Sequence, residues 1–196
     1  MSKLQDILEY KPMRRERGKY AEYLWAVYRN KTDVIEKYEA LGDHVRQILL
    51  NIDNYDRGLL FGFTERGKDE YGWLEKVKWL NYEQIEFYHK GGKYAWNSIR
   101  LGMGLNGKWA YTTCYSFGAA GGSSPLSEYS SMCESRNEAI VLGLKNLIAK
   151  HEKALTQTSD TTNYKETLIK EIIQQTRSML SEMTNPIPKQ ISLFDL

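Results

Sequence analysis

The sequence predicts an α+β fold, with a small antiparallel sheet in a ββ(β)α unit, helices at both ends, and an extended C-terminal tail. Three observations carry that expectation. Apolar residues recur at helical spacing through the first third of the chain, an Asn106-Gly107 pair separates two runs of strand formers, and Ser135 precedes Glu138 at the head of another apolar stripe. Asn-Gly accepts the positive φ values of a tight hairpin turn. Ser followed three residues later by Glu is a capping pair for a helix N-terminus. With 196 residues, the chain should bury roughly 70% of its unfolded surface, enough for a core without disulfides or metals. One domain over residues 1–183 is expected, with the tail at 184–196.

The first part, residues 1–57, reads as helical. Tyr20, Leu24, Val27 and Tyr28 recur at spacings of three and four. Thr32 or Asp33 then caps a second helix whose stripe is Val34, Ile35, Tyr38, Leu41, Val45, Ile48, Leu49 and Ile52. That stripe predicts one helix of about five turns, softened at Gly42. The polar run from Asn51 to Gly58 is its expected stop.

Residues 58–155 read as sheet plus helix. Leu59–Phe63 suggests a short strand, Glu65–Glu70 a charged loop, and Trp73, Leu74, Val77 and Leu80 a short helix. Gln84–Lys90 is rich in strand formers and leads to a Gly91-Gly92 hairpin turn. Ser98–Leu105 and Lys108–Phe117 are paired strands about a type I′ turn at Asn106-Gly107. Alternation puts Trp109, Tyr111, Thr113, Tyr115 and Phe117 on one face. A loop from Gly118 to Pro125 precedes a candidate third strand at Ser127–Cys133. The Ser135 helix carries Ala139, Ile140, Leu144, Leu147 and Ile148 on one side. After a polar connector at 156–163, a last helix over 164–183 is expected, ended by Asn185-Pro186-Ile187-Pro188 because neither proline continues a helix.

Composition excludes several classes. At 41% hydrophobic and 27% charged residues, the chain is neither disordered nor collagen-like. No run of ~18 apolar residues is present to span a bilayer, and the first twenty residues lack the apolar core of a signal peptide. Cys114 and Cys133 form no CxxC pair and lie near no histidine cluster. No metal, cofactor or redox motif is therefore expected, and a cytoplasmic location suits two reduced thiols.

No catalytic constellation stands out among His44, His89, His151 and the scattered carboxylates, and the histidines are expected at the surface or the core edge. Gly118–Ser124 lacks the Gly-Lys-Ser/Thr ending of a phosphate loop, so it reads as a mobile surface loop, a backbone anion site or a loop that orders on nucleic acid. The aromatic row of Trp109, Tyr111, Tyr115 and Phe117 admits two readings: a base-stacking platform or the buried face that a small sheet needs. Which face the Ser135 helix covers decides between them. The first 31 residues hold eight Lys or Arg against four Asp or Glu, densest at Arg14, Arg15, Arg17 and Lys19. That cluster is either a solvated face or a nucleic-acid contact rewarded by counterion release.

The end of the chain differs in kind. Gln190-Ile191-Ser192-Leu193-Phe194 follows two prolines and presents Ile191, Leu193, Phe194 and Leu196 without a pairing partner in sequence. Exposed apolar groups of this kind imply a docking site. The pentapeptide resembles the bacterial sliding-clamp-binding motif, Gln-Leu-Ser/Asp-Leu-Phe, agreeing at four positions and replacing Leu by Ile at the other. The resemblance implies that Gln190 hydrogen-bonds the clamp, Leu193 and Phe194 fill its apolar pocket, and Ile191 packs beside them. Gly107-Lys108-Trp109, Gly118–Ser124 and Ser135–Ala139 also look like a small ββ(β)α module of phage and mobile-element proteins, a likeness that implies no activity. The expected function is that of a non-enzymatic accessory protein docked on the DNA sliding clamp, in replication, repair or mobile-element biology, touching DNA through Arg14–Lys19. The alternative is a nucleic-acid-binding module whose tail makes a homo-oligomer. An enzyme would instead require carboxylates and His89 to converge in one cleft.

Overall fold

A computed structural model describes residues 3–94, 96–157, 159 and 162–185. The fold is α+β, with helices at both ends and a small antiparallel sheet between them in sequence. The chain divides into two compact units, residues 1–78 with 127–129 and residues 79–126 with 130–196. Residues 59–78, grouped with the sheet on sequence grounds, thus lie in the first unit.

That first unit contains α1 (Lys3–Glu9), α2 (Arg17–Tyr28), α3 (Thr32–Glu39) and α4 (Val45–Leu59). Ile7, Tyr23, Tyr38, Ile48, Leu49 and Ile52 form its core, with Tyr23 and Tyr38 stacked at 5.2 Å. α2 ends in a Schellman motif. Asn30 takes φ +51°, its N–H donates to Val27 O, and the N–H of Lys31 donates to Ala26 O.

The single helix expected through Gly42 is two. A Cβ at Gly42 would stand 2.9 Å from the backbone N of Ile48, so the chain turns back against α4 where only glycine fits. His44 then caps α4 in an extended conformation, its Nδ1 accepting from the N–H of Gln47 at 3.3 Å. The expected stop at Asn51–Gly58 is absent, and α4 runs to Leu59. Its polar residues point at the neighbouring loops. Fully buried Asn51 donates to Leu41 O and Gly72 O and accepts from the N–H of Leu74, and Gln47 donates to Tyr71 O at 2.7 Å.

Neither the strand expected at Leu59–Phe63 nor the helix expected at Trp73–Leu80 forms. Residues 60–79 are turns and irregular backbone with one isolated bridge, Lys68 to Leu74, and Leu80 already belongs to a strand. Tertiary bonds hold this stretch where periodicity does not. The Arg66 side chain, 4% exposed, pairs with Glu128 at 3.0 Å. It also donates to Asn54 O at 3.0 Å and to Glu75 O at 3.1 Å. Buried charge is tolerated only when so satisfied.

In the second unit β1 (Leu80–Phe87), β2 (Asn97–Met103) and β3 (Trp109–Ser116) pair antiparallel in that order. β4 (Gly121–Ser123) and β5 (Ser131–Cys133) each pair with a different stretch of β3. A bulge interrupts β1 where Asn81 adopts φ +48° and the register shifts between Leu80 and Glu83. The β1–β2 connection turns at His89–Gly92, with the N–H of Gly92 on His89 O. At the β2–β3 turn Gly107 has φ +82°, whereas Asn106 is not in the left-handed region. The N–H of Gly107 donates to Gly104 O, and that of Gly104 to Lys108 O. This is a three-residue hairpin with a glycine bulge, not the expected type I′ turn.

α5 (Arg136–Leu155) starts as expected, Ser135 Oγ accepting from the N–H of Glu138 and Glu138 accepting from the N–H of Glu134. It packs on β2 and β3, while α6 (Glu166–Thr184) packs on α5. Ile99, Leu101, Ala139, Ile140, Leu144, Leu147 and Ile172 make the core. The helix approaches so closely at Gly143 that a Cβ there would stand 2.7 Å from Ile99 Cγ2. Gly143→Ala should therefore cost about 1–2 kcal/mol of stability, read as a lower urea midpoint, overpacking outweighing the propensity gain. Gly18, also helical but with nothing within 4 Å of its missing Cβ, should gain about 0.5 kcal/mol when replaced by Ala. Urea unfolding at constant m-value checks both signs.

Candidate functional site

Gln190, Ile191, Leu193 and Phe194 lie outside the described residues. The basic cluster is described. Arg14 and Arg15 sit in the turn before α2, Arg17 is its first residue, and all three are exposed. Lys19 does not share their face. Its ammonium pairs with Asp56, which Lys37 also contacts at 3.1 Å. Burial pushes the Asp56 carboxyl up, but hydrogen bonds from Lys19 and Lys37 prevail and hold it below the usual range. Lys19 is thus a structural cation that ties α2 to α4.

Glu16, in the middle of the arginine run, does not neutralise it. Its carboxylate turns inward, 2% exposed, and accepts from Tyr10 Oη and the N–H of Met13, each at 2.8 Å. Burial, with that hydrogen bond, pushes the Tyr10 phenol up to about 12.

The outer face of α2 carries more than charge. Gly18, Ala21, Trp25 and Tyr28 follow one another at spacings of three and four, and all are exposed. Trp25 is 53% and Tyr28 73% exposed, and the guanidinium of Arg29 lies 5.7 Å from the Tyr28 ring. Tyr28 was expected on the inward stripe with Tyr20, Leu24 and Val27, yet it points out. The inner face is built by Tyr23 and Ala26, which are buried, with Leu24 and Val27 partly so. α2 therefore bears large apolar groups on opposite sides, whereas a surface helix ordinarily keeps one side polar.

The sheet's aromatic row packs on the core, half-buried except at Phe117. Trp109, Tyr111 and Tyr115 pack against the cluster formed with α5, and Phe117 is 9% exposed beside Ala154 and Ile169. The Ser135 helix covers this face, which removes the stacking reading for it. Gly118–Ser124 is not a free loop either. Gly121–Ser123 is β4, the N–H of Ala120 donates to Asn163 O, and a Cβ at Gly121 would collide with Tyr115 O at 2.5 Å.

Three polar groups meet under α5. Lys150 Nζ donates to Thr113 Oγ1 at 2.8 Å and stands 4.2 Å from the Tyr115 ring centroid, and Thr113 Oγ1 donates to Asn146 Oδ1 at 3.0 Å. Burial lowers the Lys150 pKa. Its proton nonetheless already serves Thr113, and the threonine's own proton serves an amide. The set is a satisfied network, with no free base to activate the hydroxyl. Beside it, a cavity of about 270 Å³ is lined by Tyr115, Phe117, Lys150, Lys153, Gln157 and Tyr164.

The histidines separate by environment. His44 caps α4, and His89 places Nδ1 3.9 Å from Glu171 Oε2. His151 is fully buried, contrary to the expected core-edge position, with Nδ1 2.8 Å from Leu147 O and its ring edge-on to Phe117. Among the described residues no group of three or more His, Cys, Asp or Glu can hold a metal ion, and no helix is long and apolar enough to cross a membrane. No family model, curated protein or solved structure matches the chain.

Burial holds the His151 pKa below its ordinary 6.5, so the unfolded chain takes the proton first as pH falls. Stability is then complete above about pH 6.5 and declines below it. Urea midpoints measured from about pH 8 to pH 5 should show this decline, and His151→Phe should flatten it.

Proposed function

We propose that this chain is a non-enzymatic accessory protein that docks on the bacterial DNA sliding clamp through Gln190, Ile191, Leu193 and Phe194. The observation that carries the reading is the pentapeptide Gln190–Phe194, matching the clamp-binding pattern at four of five positions with a volume-conserving change at the fifth. Its placement in the sequence supports it. α6 ends at Thr184, the N–H of Asn185 donates to Ser181 O, and Pro186 and Pro188 follow before the motif. Neither proline continues a helix.

The chemistry of such a contact is simple. Burying Leu193 and Phe194 contributes about 1.5–3 kcal/mol each, Ile191 adds part of that, and Gln190 fixes the register by hydrogen bonds. After the cost of ordering the peptide, affinity near ~1 μM is expected. A second contact of the same molecule with DNA, through Arg14, Arg15 and Arg17, raises the net affinity by effective concentration.

Calorimetric titration of purified clamp with the full chain tests this. Micromolar binding is expected, weakened at least about tenfold in Leu193→Ala/Phe194→Ala. Equal binding by the two proteins refutes the reading. Loss of self-association in the variant, with no clamp binding by either protein, would place the tail in a homo-oligomer instead.

A further inference from the structure

We propose that the outer face of α2 is a platform for single-stranded DNA, on which Trp25 and Tyr28 stack bases while Arg14, Arg15, Arg17, Arg29 and Lys31 hold the phosphates. This extends the basic cluster from a charged patch to a binding site of defined geometry.

The first argument is the misplaced aromatics. Trp25 and Tyr28 share the solvent side of the helix with Gly18 and Ala21, and Gly18 has nothing within 4 Å of its missing side chain. Gly18 and Ala21 put no bulky side chain on the face that carries the rings, and the Arg29 guanidinium lies 5.7 Å from the Tyr28 ring. Neither ring contributes to the core formed by Tyr23, Tyr38, Ile48, Leu49 and Ile52. Two large rings one turn apart on a helix face, flanked by cations, make the kind of exposed patch that marks an interaction site.

Charge then names the occupant. Between residues 14 and 31, Arg14, Arg15, Arg17, Arg29 and Lys31 are exposed cations, whereas Glu16 is turned inward and Lys19 is paired with Asp56. Glu22 is the exposed acid of this stretch, and Lys19 contacts it at 3.4 Å. Cations gather at both ends of the helix and the aromatics lie between them. α2 has 12 residues, about 18 Å of axis, long enough for a strand to meet both groups of cations with bases over the rings. Alternating cationic and aromatic contacts are what single-strand binding requires. A duplex offers the same phosphates, but its bases are already stacked and paired. The choice of DNA over RNA rests on the clamp reading, since a clamp-docked protein works on DNA.

The test is fluorescence anisotropy of a labelled oligo-dT of about twenty nucleotides, titrated with the full chain at low salt and without clamp. Failure of the clamp titration therefore leaves this result independent. Binding should weaken about tenfold in Trp25→Ala and in Tyr28→Ala and stay within about threefold in Trp25→Phe, which keeps a stacking ring. Arg14→Gln/Arg15→Gln/Arg17→Gln should lower the slope of log K against log salt by about 2, three phosphates at ~0.7 each. Circular dichroism of each variant should match the parent, because all these side chains are exposed. No binding of oligo-dT, affinity unchanged by Trp25→Ala and Tyr28→Ala together, equal affinity for the duplex, or tighter binding of oligo-rU would each overturn the proposal.

Discussion

The close approach of α5 to the sheet at Gly143 organises the second unit. With no side chain at that position, the helix backbone comes down onto Ile99, and a methyl group there would already overlap Cγ2 at 2.7 Å. Ile140, Leu144 and Leu147 then reach Leu101, Trp109 and Tyr111. A wider separation would leave the aromatic row half-wet and the core underpacked. The same approach determines which surfaces remain for binding. Rings that resemble a nucleic-acid platform in the linear sequence are committed to the interior, and Lys150 lies over one of them as part of a closed network with Thr113 and Asn146.

The first unit is held differently. Its core is small and rich in tyrosine, and polar side chains do much of the fastening. Asn51 and Gln47 reach from α4 to the backbone of residues 41–43 and 71–74, and Arg66 joins Asn54, Glu75 and Glu128. The inner side of α2 is occupied by Tyr23 and Ala26, and its first turns are tied by Lys19 to Asp56, so its outer face is left to solvent.

Elements whose signals are local were legible in the sequence. The Ser135 cap, the hairpin joining β2 and β3, the helix over 164–183 and the division of β3 into two faces all follow from short-range chemistry, and the structure has them. Elements that depend on distant bonds were not. Gly42 breaks a helix through a contact with the backbone of Ile48, which a continuous apolar stripe conceals. The run Asn51–Gly58 looks like a helix stop until its amide partners are known, and the helical spacing of Trp73 to Leu80 gives way where α4 and Arg66 hold Leu74 and Glu75 as irregular chain and Leu80 enters β1. Of the candidate site, Arg14, Arg15 and Arg17 were readable as a cluster. The removal of Lys19 into an ion pair was not, and neither was Trp25, although its place off the Tyr20–Leu24–Val27 stripe was a signal that periodicity supplied.

The aromatic row of β3 packs under α5, whereas Trp25 and Tyr28 stand exposed on α2. Ultraviolet cross-linking of a bromodeoxyuridine-substituted single strand to the full chain, with the modified peptides mapped by mass spectrometry, compares the two surfaces in one sample. Cross-links at Trp25 and Tyr28, with none between Trp109 and Phe117, are the predicted result. Adducts on Trp109, Tyr111 or Tyr115, with none on Trp25 or Tyr28, would contradict the account.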